Sequence, residues 1–105
     1  MVQRTETFSY LPPMTRGQLA AQVAYVLRNG WIPAIEYTTQ TGPNVRLWDL
    51  WKLPFFEATS PEPVLQEAEA CHQAHPDAYV RIVAFDPAAQ IQRLSVVAYR
   101  PGEVT

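Results

Sequence analysis

Leu19, Val23, Val26 and Leu27 recur at i, i+4, i+7 and i+8, the spacing that gathers apolar side chains on one face of a helix. Thr15 stands ahead of them as a cap, Gln18 completes a capping box, and Met14 sits at staple spacing from Leu19. Gly30 supplies the left-handed residue that ends the helix. The period then changes. "WIPAIEYTT" reads as a strand rich in β-branched and aromatic residues, and Pro33, which cannot donate to a ladder, predicts an edge strand or a bulge. A short turn, "QTGPN", leads to "VRLWDLWKL", a second strand paired with the first as a hairpin. After Pro54, "PEPVLQEAEACHQAH" is a second helix, with Ser60 as its cap, Pro61 in the favoured first position and Pro76 just past its end. "AYVRIVAFD" and "IQRLSVVAYR" are two further strands around the turn "PAAQ".

Residues 1–14 are expected to form an extended arm, because Pro12 and Pro13 forbid a helix there. Phe8, Tyr10 and Leu11 have no local structure to pack within. Residues 15–105 form the folded domain, in the order arm-α-β-β-α-β-β. Short connections within each strand pair imply antiparallel pairing. The expected class is α+β: two layers, a four-stranded antiparallel sheet with both helices on one face.

That arrangement leaves the other sheet face to be accounted for. Side chains alternate along a strand, so Val80, Ile82 and Ala84 oppose Tyr79, Arg81, Val83 and Phe85. Likewise Leu94, Val96 and Ala98 oppose Ile91, Arg93, Ser95, Val97 and Tyr99. The smaller aliphatic sets suit the helices; the others remain apolar and aromatic, mixed with Arg. In the hairpin, Trp48 and Leu50 point one way and Leu47, Trp51 and Leu53 the other, so at most one Trp of the pair serves the helix-facing core. Apolar patches beyond a few hundred Å² mark interaction sites, and Trp, Tyr and Arg are enriched in interface hot spots. Composition leaves two coverings open: the arm folded back within the monomer, or a partner.

Composition narrows the function classes. A chain of 105 residues with 48% hydrophobic and 17% charged residues fits one globular domain. A net charge of -2, with eight scattered Lys and Arg, argues against nucleic acid. The single cysteine allows no internal disulfide, which fits a reducing cytoplasm. No apolar run approaches the ~20 residues of a membrane span, and "MVQRTETFSY" lacks the features of a secretory or transit signal.

No phosphate loop, nucleophile elbow or HExxH pattern is present. Cys71 and His75 share a helical face in "CHQAH", but one face cannot wrap a tetrahedral ion; the expectation is a buried structural thiol beside surface imidazoles. Glu36 lies in an otherwise apolar strand without an identifiable catalytic partner, which points to a salt bridge within the fold or across an interface. Glu62, Glu67 and Glu69 read as a solvated helix surface, Glu62 being well placed near the positive helix end.

"ETFSYLPPM", "GWIPAIEY", "WDLWKLPFF", "SPEPVLQEAEAC", "YVRIVAFD" and "LSVVAYRP" resemble, in order and spacing, the small subunit of form I ribulose-1,5-bisphosphate carboxylase/oxygenase (Rubisco). The resemblance spans nearly the whole chain. It departs at Thr5, where the family's arm has an aromatic, at Leu47, where a Tyr usually precedes the Trp, and at Asp49, which replaces a small neutral residue. The turn Gln40 to Asn44 is short, as in bacterial members, and the helix opening "TSPEPVL" looks closer to the cyanobacterial branch.

The resemblance implies a non-catalytic subunit that caps a large-subunit octamer, eight large with eight small. It would stabilise the assembly and raise carboxylation efficiency and CO2/O2 specificity from a distance. It implies no cofactor on this chain; Mg2+ and a carbamylated lysine belong to the large subunit. Contacts with neighbouring small subunits would be marginal at most, and the location is the cytoplasm or a carboxysome. The implied large-subunit contacts are Phe8, Tyr10, Leu11, Pro12 and Pro13 in the arm, and Glu36, Trp48, Trp51, Lys52, Pro54 and Phe55 on the hairpin side. Rival readings are a carboxysome scaffold module related to the small subunit, a small enzyme using Glu36 and His75, and a homo-oligomeric ligand-binding domain. None of them accounts for the arm as well.

Overall fold

The computed structural model describes residues 14–39 and 47–102. The arm before Met14 and the turn Gln40 to Asn44 lie outside the described residues. Helix α1, Arg16–Arg28, begins as its sequence predicts: the Gln18 amide donates to Thr15 Oγ1 at 3.1 Å, and the Thr15 amide donates to Gln18 Oε1 at 2.9 Å. Gly30 ends it with φ at 73°. Helix α2, Glu62–Ala74, corrects one expectation. Pro61 already has helical angles and its carbonyl accepts from the Leu65 amide, while no side chain caps the start. The cap predicted for Ser60 is not made; Pro61 needs none for itself, since it has no N–H to satisfy.

The strands are β1 (Ile32–Thr38), β2 (Asp49–Leu50), β3 (Tyr79–Asp86) and β4 (Ile91–Tyr99). They form one antiparallel sheet in the order β2-β1-β3-β4, with α1 and α2 on one face. The predicted class and topology hold. The core lies between the sheet and the helices: Leu19 and Val23 from α1, Val64, Leu65, Ala68 and Cys71 from α2, and Ile35, Val80, Ile82, Val96 and Ala98 from the strands.

Three strand details differ from the simple pattern. β1 is an inner strand, not an edge. It tolerates Pro33 because β2 stops short of it; there the Pro33 carbonyl accepts from the Phe55 amide at 2.9 Å. The second strand is much shorter than residues 45–53. Glu36 pairs with Leu50 and the Trp51 amide donates to the Ile35 carbonyl at 2.8 Å. An unbroken ladder would then set residue 53 opposite Pro33, yet Phe55 stands there, so two extra residues loop out. Lys52, at φ 61°, makes the turn into that loop. In β4, register shifts between Val80/Arg81 and Ala84/Phe85 break the alternation. One consequence is that Tyr99 comes opposite Val80 and stacks on His72 of α2, so it joins the helix side and not the open face.

Candidate protein interface

The open sheet face is built on cross-strand pairs. Ala34 faces Val83, Glu36 faces Arg81, and Arg81 in turn faces Val97. The small members, Ala34, Val83, Ser95 and Val97, are buried. Over the middle of the face, Arg81 donates from both Nε and Nη2 to Glu36 Oε1, at 2.8 and 2.6 Å. The pair is mostly enclosed, with side-chain exposures of 13% for Arg81 and 23% for Glu36. Trp48 lies across it, its ring centroid 3.9 Å from the guanidinium carbon. The partner that Glu36 lacked in sequence is therefore Arg81. β1 and β3 are separated by a helix, so nothing local fixed their register.

The two tryptophans divide as alternation requires. Trp51 turns to the helix side, packs edge-on to Tyr37 and His75, and donates its indole N–H to Glu67 Oε1 at 3.0 Å. Lys52 Nζ lies 3.2 and 3.3 Å from the two Glu67 oxygens. The Trp51 indole, with Lys52 helping and burial opposing, holds Glu67 below the usual carboxylate range. Glu67 is thus not simply solvated helix surface. Its signal in the sequence is its place three residues after Val64 and four before Cys71, inside the apolar stripe of α2. Phe55 also packs against the core, beside half-buried Pro54. Of the hairpin-side residues, Glu36 and Trp48 form one cluster on the open face, while Trp51, Lys52 and Phe55 gather at the sheet's β2 margin. Phe8, Tyr10, Leu11, Pro12 and Pro13 lie outside the described residues.

Around that margin the segment presents Leu47 (72% exposed), Leu50, Leu53 (76%) and Phe56 (66%), with Phe85 and Ile91 exposed further along. A single exposed leucine needs no explanation, but four large apolar side chains within ten residues do.

The histidines correct a second expectation. His72 is buried and His75 is half-buried, stacked on Tyr37 at 4.3 Å between ring centroids. Neither is a surface imidazole. Cys71 is buried and free, and burial pushes its thiol up to about 11. Among the described residues no three His, Cys, Asp or Glu stand together as a metal site, and no helix is long and apolar enough to cross a membrane.

Residues 5–101 match the family model described as ribulose bisphosphate carboxylase, small chain. The chain is 50% identical over 99 residues to the ribulose bisphosphate carboxylase small subunit of Cyanophora paradoxa, covering 94% of this chain and 93% of that one. It is 39% identical over 101 residues to the corresponding subunit of Thermosynechococcus vestitus, covering 96% and 86%. A chain of the solved Rubisco from Galdieria partita superposes with a TM-score of 0.84 at 33% identity, covering 92% of this chain and 72% of that one.

Proposed function

Since the chain belongs to the ribulose bisphosphate carboxylase small-chain family and is a Rubisco small subunit, we propose that it docks on the large subunits of a form I enzyme through the Trp48 face and the loop margin of β2. The observation that carries this reading is the run of exposed Leu47, Leu50, Leu53 and Phe56 beside the Trp48–Arg81–Glu36 stack. Burying such a run removes apolar surface from water at about 25 cal/mol per Å², and the aromatic and Arg members suit an interface centre. Arm residues Phe8, Tyr10, Leu11, Pro12 and Pro13 extend the contact, together with Glu36, Trp48, Trp51, Lys52, Pro54 and Phe55. A family match that begins at residue 5, within the arm, supports the subunit over a scaffold module.

The stoichiometry is eight small with eight large, the small subunits capping the octamer. Catalysis, Mg2+ and the carbamylated lysine stay with the large subunits. The small subunit acts by binding the competent arrangement of its neighbours more tightly than others, which shifts their population. The assembly works in the cytoplasm or inside a carboxysome.

The test mixes the full chain with octameric large-subunit core and follows mass and carboxylase activity. A mass rising to the hexadecamer with activity rising alongside supports the reading. No mass shift with cores from several lineages overturns it.

A further inference from the structure

The loop at the β2 margin is pinned at both ends. The Trp51 and Phe55 amides hold it to the Ile35 and Pro33 carbonyls, and the residues between them leave the ladder. At its start stands Lys52 with φ at 61°, a left-handed conformation that a residue with a Cβ adopts only when its surroundings impose it. A further contact beside this turn comes from the other layer. Glu67, on α2, accepts the Trp51 indole N–H and faces the Lys52 ammonium. The Lys52 contact is exposed and screened, so it adds little; the indole bond, in a partly buried setting, is the stronger constraint. What emerges from this turn is Leu53, the most exposed large apolar side chain among the described residues, followed by Phe56.

We propose that Glu67 is a positioning residue for docking: by holding Trp51 it fixes the looped-out tip Lys52–Pro54 in the conformation that offers Leu53 and Phe56 to an apolar surface of the large subunit. The inference rests on the docking function proposed above. Glu67 itself touches no partner in this account. It acts by keeping the binding-competent tip populated before contact, and apparent affinity scales with that population.

The measurement is occupancy of small subunits on an octameric large-subunit core, by native mass spectrometry titration, for the wild-type chain and four variants. If Glu67→Ala lowers the competent tip to about a tenth, its dissociation constant rises about tenfold. Glu67→Gln keeps an acceptor for the indole and stays within about threefold of the wild type on the same population argument. Val23→Ala and Val26→Ala, buried changes on α1 and not on the helix that carries Glu67, lower the melting temperature yet leave affinity within about twofold below that temperature. Circular dichroism checks that each variant is folded.

Wild-type binding with Glu67→Ala equally tight overturns the positioning role alone. Equal losses in Val26→Ala and Glu67→Ala do the same, because general stability would then explain both. Failure of the wild-type chain to bind any core removes the docking function and this inference with it.

Discussion

Trp48 and Trp51 stand three residues apart and belong to different environments. Trp51 is held on the helix side by Tyr37, His75 and an indole bond to Glu67. Trp48 lies on the open side, with an ion pair beneath it. The fold uses the first ring to close its core at the sheet margin. It uses the second to roof a charged pair at the centre of the face that α1 and α2 leave uncovered. One short segment therefore serves the helix-side core with one ring and the opposite sheet face with the other, and composition alone could not have divided them.

The largest expected effect tests the folding side. Trp51→Ala removes ring packing and leaves Glu67 without its main donor, and should cost about 3 kcal/mol in urea unfolding of the isolated chain. Arg81→Ala comes next. It leaves the Glu36 carboxylate partly enclosed without its partner, at about 2 kcal/mol, while Glu36→Met/Arg81→Met should recover most of that loss. A ΔG near zero for Arg81→Ala would mean that the ion pair adds nothing to the monomer.

Of similar size is an alkaline effect from the helix side. The Cys71 thiol ordinarily ionises near 9.0 and is raised to about 11 by burial. The native state thus keeps a proton that the unfolded chain has lost. Stability is whole below about pH 9 and falls as pH rises through about 11, by at most roughly 2.7 kcal/mol in all. Cys71→Ala should remove this component from the pH profile of chemical unfolding.

Trp48→Ala should cost the isolated chain about 1 kcal/mol, because the half-buried ring loses its packing over Arg81. The smallest effect is acidic. Glu67 is held below the usual carboxylate range, so its contribution is present above its unfolded pKa and is lost as pH falls through the folded value. Glu67→Gln should flatten the acid limb of the stability profile, a difference visible in parallel melts.

The helices and the order of the strands were legible because their signals are local: the Thr15–Gln18 box, Gly30, and the alternation in β3. What escaped was set by contacts distant in sequence. Arg81 meets Glu36 across 45 residues, through a strand register that no hairpin fixes. Alternation alone put Tyr99 on the open face; the irregular pairing of β4 with β3 reversed it. The second strand read as nine residues because its alternation runs on through Leu53, while the actual ladder is broken by a left-handed Lys52, which sequence pattern does not announce. For the interface, the sequence showed that too many large rings had been placed in one segment. Alternation already set the two tryptophans on opposite sides; the structure showed that Trp51 takes the helix side with Phe55 and joined Trp48 to Glu36 and Arg81.

The most direct test of this division pairs two readings on one variant: the melting temperature of isolated Trp48→Ala and its occupancy on an octameric large-subunit core. The expected result is a melting temperature within about 8 °C of the wild type and a clear loss of assembly. Full assembly by the variant, or a collapse of its isolated fold, would contradict it.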